Sequence, residues 1–130
     1  RGELEPDMAS VAPYLVHLRQ GEPFTNWILD DGFGKHRGIF LHTRRSMLEM
    51  RKHFRSLVTV FDEDGNPMVF RFYDPRVLVR FLPTCNEDEL RDFFGDVDRF
   101  FAEEVDAGRL LSFKREGGAL KTAPFDAAKV

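Results

Sequence analysis

Phenylalanine constrains this chain more than any other residue type. Fourteen of the 130 residues are Phe, beside one Trp and two Tyr. Side chains this large must fill a core, or some of them must lie at a surface that a partner covers. Hydrophobic residues make up 42% of the chain, which excludes an intrinsically disordered protein. The length suits one domain that buries about two-thirds of its surface.

Helical and strand periodicity predicts that half of the phenylalanines face the core. A second group depends on residues 97–115, where we favour a hairpin over a helix because Asp106-Ala107-Gly108 suits a three-residue hairpin loop. The predicted core residues are Phe24, Phe54, Phe70, Phe72, Phe81, Phe93 and Phe94. The second group is Phe100, Phe101 and Phe113, and no element is assigned to Phe33, Phe40, Phe61 and Phe125.

Short apolar runs alternate with amphipathic stretches along the chain. Residues 12–18, 38–42, 57–61 and 68–73 predict strands, and a turn at 62–67 joins the last two. Helices are predicted after Pro23 and around residues 46–58, 74–82 and 86–94. We therefore predict a mixed α/β fold, with a central mixed sheet of short strands, flanking helices and a C-terminal hairpin. Residues 1–115 are predicted to form this single domain and 116–130 a loosely ordered tail.

Helix starts carry the clearest local signals. Ser46 with Glu49, and Asn86 with Glu89, have the spacing of capping boxes. Asp74 followed by Pro75 predicts an N-cap and a first helical residue. Each pair fixes where its helix begins.

Charge is segregated along the sequence although the net charge is only −3. Residues 35–55 carry seven Lys or Arg and one acid, whereas residues 86–106 carry nine acids and two Arg. Two interpretations stay open: two solvated faces that attract each other, or surfaces that steer a partner. No apolar run is long enough to span a membrane.

The sequence shows no catalytic or metal-binding constellation. The four histidines lack the spacing of a ligand set, and Cys85 has no second cysteine beside it. Gly32-Phe33-Gly34-Lys35 lacks the hydroxyl residue and the strand–helix context of a phosphate loop. We therefore predict no catalytic residue, no metal and no cofactor. Two alternatives remain: a small hydrolase or transferase using His42 or His17 with Asp74, and a nucleic-acid-binding module using the basic residues 44–55.

One run carries a family resemblance: Phe70-Arg71-Phe72-Tyr73-Asp74-Pro75-Arg76-Val77-Leu78, followed by Leu82-Pro83. Residues 12–16, Trp27, the glycines 32, 34 and 38, and Phe93-Phe94-Gly95 support it in order and spacing. Between about residues 11 and 115 the chain resembles the type VI secretion adaptor, or effector-chaperone, family, which is often described only as a domain of unknown function. Members usually open with a further strand and helix, so we expect those elements to be incomplete here. Asp96 stands where members often have Pro.

The resemblance implies a non-enzymatic protein of the bacterial cytoplasm. Such adaptors bind a toxin effector and help load it onto the valine-glycine-repeat (VgrG) spike of the secretion tube, sometimes with its PAAR tip. Proteins, rather than nucleic acid or membrane, are then the expected partners. Within the motif we expect a structural role for Arg71, Phe72, Tyr73, Asp74, Pro75 and Arg76. The candidate partner-binding residues are Arg44, Arg45, Arg51, Lys52, Arg55, Glu87, Asp88 and Asp92.

Overall fold

A computed structural model describes residues 15–19, 21–23, 38–104 and 109–125 of the chain. Within these ranges the helices are α1 (Met47–Val58), α2 (Pro75–Phe81) and α3 (Glu87–Phe94), with a 3₁₀ turn at Leu82–Thr84. The strands are β1 (Phe40–Thr43), β2 (Thr59–Phe61), β3 (Pro67–Val69), β4 (Val97–Glu104), β5 (Arg109–Glu116) and β6 (Ala119–Phe125). No helix in the described ranges is long and apolar enough to cross a membrane.

The strands form a four-stranded sheet in the order β1-β4-β5-β6 and a separate β2–β3 hairpin. Every pairing among these described strands is antiparallel, so the central sheet is antiparallel and not the mixed sheet that the sequence predicts. The predicted mixed α/β class is confirmed, and β4–β5 confirms the hairpin that we favoured over a helix for residues 97–115. The loop residues 106–108 lie outside the described ranges.

The core is rich in phenylalanine, as predicted. Phe94, Phe100 and Phe113 are almost fully buried. Ring centroids of Phe93 and Phe100 lie 5.1 Å apart, and those of Phe54 and Phe72 lie 5.7 Å apart, within the range of favourable aromatic pairs. Burial of Phe54, Phe72, Phe93 and Phe94 confirms their assignment, and Phe70 and Phe81 pack partly buried against them. Phe24 lies outside the described ranges.

All three predicted helix starts are confirmed. Capping boxes are present at Ser46 and Asn86, and the Asp74 side chain accepts from the Arg76 N–H with Pro75 as the first helical residue. Gly95 ends α3 at a φ of 52°, a conformation that favours glycine.

Three strand predictions need correction. The strand expected at residues 68–73 stops at Val69, because the Asp74 N–H bonds the Arg71 carbonyl at 3.0 Å and turns the chain into α2. The described part of the strand expected at 12–18 is irregular, and Leu15 packs against the core without sheet pairing. Residues 57 and 58 belong to α1, so β2 starts at Thr59.

The loosely ordered tail expected at 116–130 is also wrong for Ala119–Phe125, which forms β6 against β5. Gly117 and Gly118, with φ of 60° and 80°, form the two-residue turn between these strands. Two consecutive glycines with positive φ match the twist of a tight hairpin. They therefore connect β5 to a further strand and do not mark the end of the ordered domain. The helix expected after Pro23 and the glycine-rich run at 32–35 lie outside the described ranges.

Candidate functional site

Opposite charges from the basic and acidic segments meet at the end of the four-stranded sheet where β1 pairs with β4. Arg45 Nε lies 3.3 Å from Asp96 Oδ2, and Arg45 Nη1 lies 3.6 Å from Glu49 Oε2. Beside them, His42 Nδ1 lies 3.1 Å from Asp98 Oδ2. The contacts of Arg45 with Asp96 and of His42 with Asp98 agree with the interpretation that the two charged segments attract each other.

Backbone and hydroxyl contacts hold this end of the sheet together. The Thr43 hydroxyl donates to the Asp96 carbonyl at 2.9 Å and accepts from the Arg45 N–H at 3.1 Å. The β1–β4 register shifts between His42 and Thr43. The loop entering α1 is thereby joined to the loop leaving α3, which brings the two charged segments side by side.

A charged cleft of 510 Å³ opens between these loops, and we call it the arginine cleft. Arg44 and Arg115 make no ion pair within the described part of the chain, whereas Arg45 is paired with Asp96. Guanidinium groups without an internal carboxylate are suited to acidic groups of a partner. The cleft is lined by Arg44, Arg45, Gly95, Asp96, Val97, Asp98 and Arg115.

The remaining basic candidates lie on the exposed face of α1. Arg51, Lys52 and Arg55 are exposed, and the described residues offer them no ion-pair partner. Met50 and Phe54 are buried on the same helix and face the core. The five basic candidates therefore divide into two surfaces, the arginine cleft and the α1 face.

The acidic candidates lie on α3 and are partly engaged with neighbours. Asp88 Oδ1 lies 3.1 Å from Arg91 Nη1, and Asp92 Oδ1 lies 3.9 Å from Arg91 Nε. The Glu87 carboxyl packs over Gly118, where a Cβ atom added to the glycine would come within 2.7 Å of the Glu87 Cδ. Glu87 therefore helps to seat the β5–β6 turn and is less available to a partner.

The polar residues of the motif form a corner between β3 and α2. Asp74 Oδ1 accepts from the Arg76 N–H at 2.9 Å and from its Nε at 3.0 Å, and Asp74 Oδ2 lies 2.7 Å from Arg76 Nη2. This two-point contact raises the pKa of the Arg76 guanidinium, chiefly through its hydrogen bond to Asp74. Asp74 thus caps α2 and pairs with Arg76 at the same corner.

The aromatic residues of the motif anchor that corner. Phe72 is 4% exposed and contacts Phe93 with ring centroids 5.6 Å apart. Tyr73 is half-buried, Pro75 is buried, and Arg71 is exposed. The corner thus has a buried aromatic side and a hydrogen-bonded polar side.

The contacts of His42 and Asp74 do not favour a hydrolase site that uses these two residues. His42 pairs with Asp98 across β1 and β4, while Arg76 engages the Asp74 carboxylate. Burial and, to a lesser degree, Glu89 raise the pKa of the Cys85 thiol, which is unlike an activated cysteine nucleophile. Among the described residues, no group of three His, Cys, Asp or Glu is arranged to hold a metal ion.

Sequence reasoning missed two features of the surface. Arg115 joins the arginine cleft from β5, which follows only from the pairing of β5 with β4. The β2–β3 hairpin exposes Phe61 and Val69. The two strands and their turn were predicted, but the pattern of a short apolar strand does not indicate that its side chains are exposed.

Comparison with protein-family models places the chain in a family. A family model described as a domain of unknown function (DUF4123) matches residues 1–92. No curated protein matches the chain significantly, and no solved structure does so either. The matched region covers the motif corner, α1 and most of α3, and it makes up well over half of the chain. The chain therefore belongs to the DUF4123 family.

Proposed function

We propose that this protein is a non-enzymatic adaptor of a type VI secretion system, working in the bacterial cytoplasm. It binds a toxin effector and helps load it onto the VgrG spike, with the PAAR tip as a further partner in some systems. The observation that carries the proposal is membership of the DUF4123 family together with the motif from Phe70 to Leu78. This family is associated with type VI secretion.

The surface chemistry of the described residues supports a protein-binding role. The arginine cleft holds Arg44 and Arg115 without internal ion-pair partners in the described ranges. Such guanidinium groups bind carboxylates in two-point geometry. Carboxylates of the toxin or the spike are therefore the groups that we expect Arg44 and Arg115 to bind.

The same cleft is a poor site for a nucleic-acid backbone. Asp96 and Asp98 line it together with the arginines, and each carboxylate would repel a phosphate. A protein partner with both acidic and basic groups matches this alternation better.

The test uses the purified chain, the VgrG protein and the toxin that the neighbouring genes encode. Isothermal titration calorimetry is expected to show binding to at least one of them, weakening as salt rises. In a strain lacking this gene, export of the toxin is expected to stop while the tube protein is still exported. Lack of binding to either protein, with unchanged toxin export, would overturn the proposal.

Charge reversal in the cleft sharpens this test. Arg44→Glu is expected to weaken partner binding by about tenfold or more, because it places a third carboxylate in the cleft. Lys121→Glu on β6 is the control, since Lys121 is an exposed basic residue that does not line the cleft. If both variants bind the partner with equal affinity, the cleft is not part of the binding surface. The adaptor role would then be judged from the binding of the wild-type chain alone.

A further inference from the structure

The β2–β3 hairpin presents an apolar surface to solvent. Phe61 is 68% exposed, Val69 55%, Met68 52% and Val60 40%. These four side chains come from two three-residue strands, so the exposed apolar groups are concentrated in one small element. A two-stranded hairpin is marginally stable by itself, and exposed apolar clusters of this kind mark interaction sites.

Both faces of the hairpin are apolar. The register pairs Val60 with Met68 and Phe61 with Pro67, so Val60 and Met68 share one face. Alternation along each strand places Phe61 and Val69 on the opposite face.

The turn at the end of the hairpin is ordered and acidic. Asp62 Oδ1 accepts from the N–H groups of Asp64 and Asn66, each at 2.9 Å, and Gly65 supplies a φ of 82°. The hydrogen bond from the Asn66 N–H is the main cause of the lowered pKa of Asp62. Asp62, Glu63 and Asp64 therefore form a preorganised acidic tip ahead of the apolar strands.

A complementary groove lies on the same molecule, and we call it the α2 groove. It has a volume of 530 Å³ and is lined by Val77 and Phe81, with Asp74, Arg76 and Arg80 around them. Arg80 has no ion-pair partner within the described part of the chain. This open groove along α2 thus combines two apolar side chains, Val77 and Phe81, with the cation of Arg80, which matches the apolar strands and acidic tip of the hairpin.

The α2 groove adjoins the base of the hairpin. Phe70, directly after β3, contacts Phe81 with ring centroids 4.8 Å apart. Because hairpin and groove are neighbours, a twofold axis beside them would let two copies exchange hairpins in one reciprocal interface.

We propose that the β2–β3 hairpin is a self-association arm that inserts into the α2 groove of a second copy of this chain. Phe61 packs against Val77 and Phe81 of the other copy, and Glu63 pairs with its Arg80. Both contacts form twice about the twofold axis. The proposal is independent of the adaptor role, since it rests on complementary surfaces of a single chain.

The first test is the oligomeric state in solution. The contact is smaller than a standard interface of about 1,600 Å², so we expect a weak dimer that sedimentation velocity resolves across a range of about 1–500 μM. Phe61→Ser is expected to be monomeric throughout this range. Leu48→Ser is the matched control, because Leu48 is 59% exposed but lies on α1, and it is expected to dimerise like the wild type.

A charge-swap cycle tests the groove itself. Glu63→Arg and Arg80→Glu are each expected to weaken dimerisation by about tenfold, and the double variant is expected to recover most of the wild-type affinity. Glu63 is suited to this exchange because the hydrogen bonds of the turn do not use its side chain. Full dimerisation of the single variants, or no recovery in the double variant, would overturn the groove as the docking site. A wild-type chain that stays monomeric across the concentration range would overturn the proposal. This holds even if Phe61→Ser weakens binding to the toxin or the spike, since the hairpin would then bind a different protein and not a second copy.

Discussion

Arg45 Nε lies 3.3 Å from Asp96 Oδ2, and this contact joins the basic segment before α1 to the acidic segment after α3. Both side chains are more than half exposed, so water and salt screen their attraction. An ion pair in this position orients charge at the surface more than it stabilises the fold. The arginine cleft can therefore be altered without loss of the folded state.

Arg45→Ala is expected to lower the free energy of unfolding by less than about 1 kcal/mol, because exposed ion pairs contribute little. Urea denaturation followed by circular dichroism measures this change. The same variant is expected to weaken the salt-dependent binding of an acidic partner. A loss of several kcal/mol in stability would contradict a surface role for Arg45.

Asp74→Ala is expected to destabilise the protein by about 1 kcal/mol through loss of the α2 cap. The Asp74 side chain accepts from the Arg76 N–H at 2.9 Å, a bond that alanine cannot make. Arg76→Ala is the control, since it keeps the cap and removes only the exposed guanidinium. Equal melting temperatures for Asp74→Ala and the wild type would contradict the capping role.

Gly95→Ala is expected to destabilise the protein by about 2 kcal/mol or more. The new Cβ would lie 2.7 Å from His53 Cε1, and the φ of 52° is strained for alanine. His53 is held in place by a contact of 2.7 Å between its Nε2 and the Phe93 carbonyl.

Two further variants separate the causes of this loss. Gly65→Ala has a similar positive φ but open space around the new Cβ, so only the backbone strain is expected there. Adding Gly95→Ala to a His53→Ala background is expected to cost less than adding it to the wild type. Identical costs in both backgrounds would contradict the steric explanation.

Hydrogen bonding lowers the pKa of Asp62 from its ordinary value of 3.8, chiefly through the Asn66 N–H. Because the unfolded state binds the proton more tightly, Asp62 stabilises the hairpin above pH 3.8, and this contribution is lost as the pH falls through the folded-state pKa. The protection factors of the Asp64 and Asn66 amides, taken relative to the intrinsic exchange rate at each pH, are expected to fall in that acidic range. Asp62→Asn is expected to lack this pH dependence, and identical profiles would contradict the assignment.

The Cys85 thiol is expected to react slowly with alkylating reagents near neutral pH. Burial, together with the charge of Glu89, raises its pKa from the ordinary value of 9.0, and the thiolate is the reactive form. Reaction with iodoacetamide is expected to become fast only when urea unfolds the chain. Labelling of the folded protein at the rate of the unfolded one would contradict this expectation.

Features that depend on neighbouring residues were predicted well from the sequence. The caps at Ser46, Asp74 and Asn86 each involve side chains within three positions, so the spacing alone identifies them. Burial of Phe93 and Phe94 follows from helical periodicity in the same way.

Features that depend on distant pairing were predicted poorly. Arg115 reaches the arginine cleft only because β5 lies beside β4, and no local pattern encodes that position. β6 is ordered because it pairs with β5 across the turn at Gly117 and Gly118. The composition of this segment alone suggested a loosely ordered tail. The exposure of Phe61 was not predicted either, since a short apolar strand has the same pattern whether it is covered or not.

The strand order has a consequence for synthesis. β4, β5 and β6 are consecutive in the chain and form a meander of local pairings, whereas β1 pairs with β4 across α1, both strands of the hairpin, α2 and α3. During translation, β1 and the apolar face of α1 leave the ribosome well before the residues that cover them. Closing the sheet at β1 is a non-local step and is slow for that reason. A nascent chain that ends before Val97 has β1 without its partner strand and cannot build the four-stranded sheet.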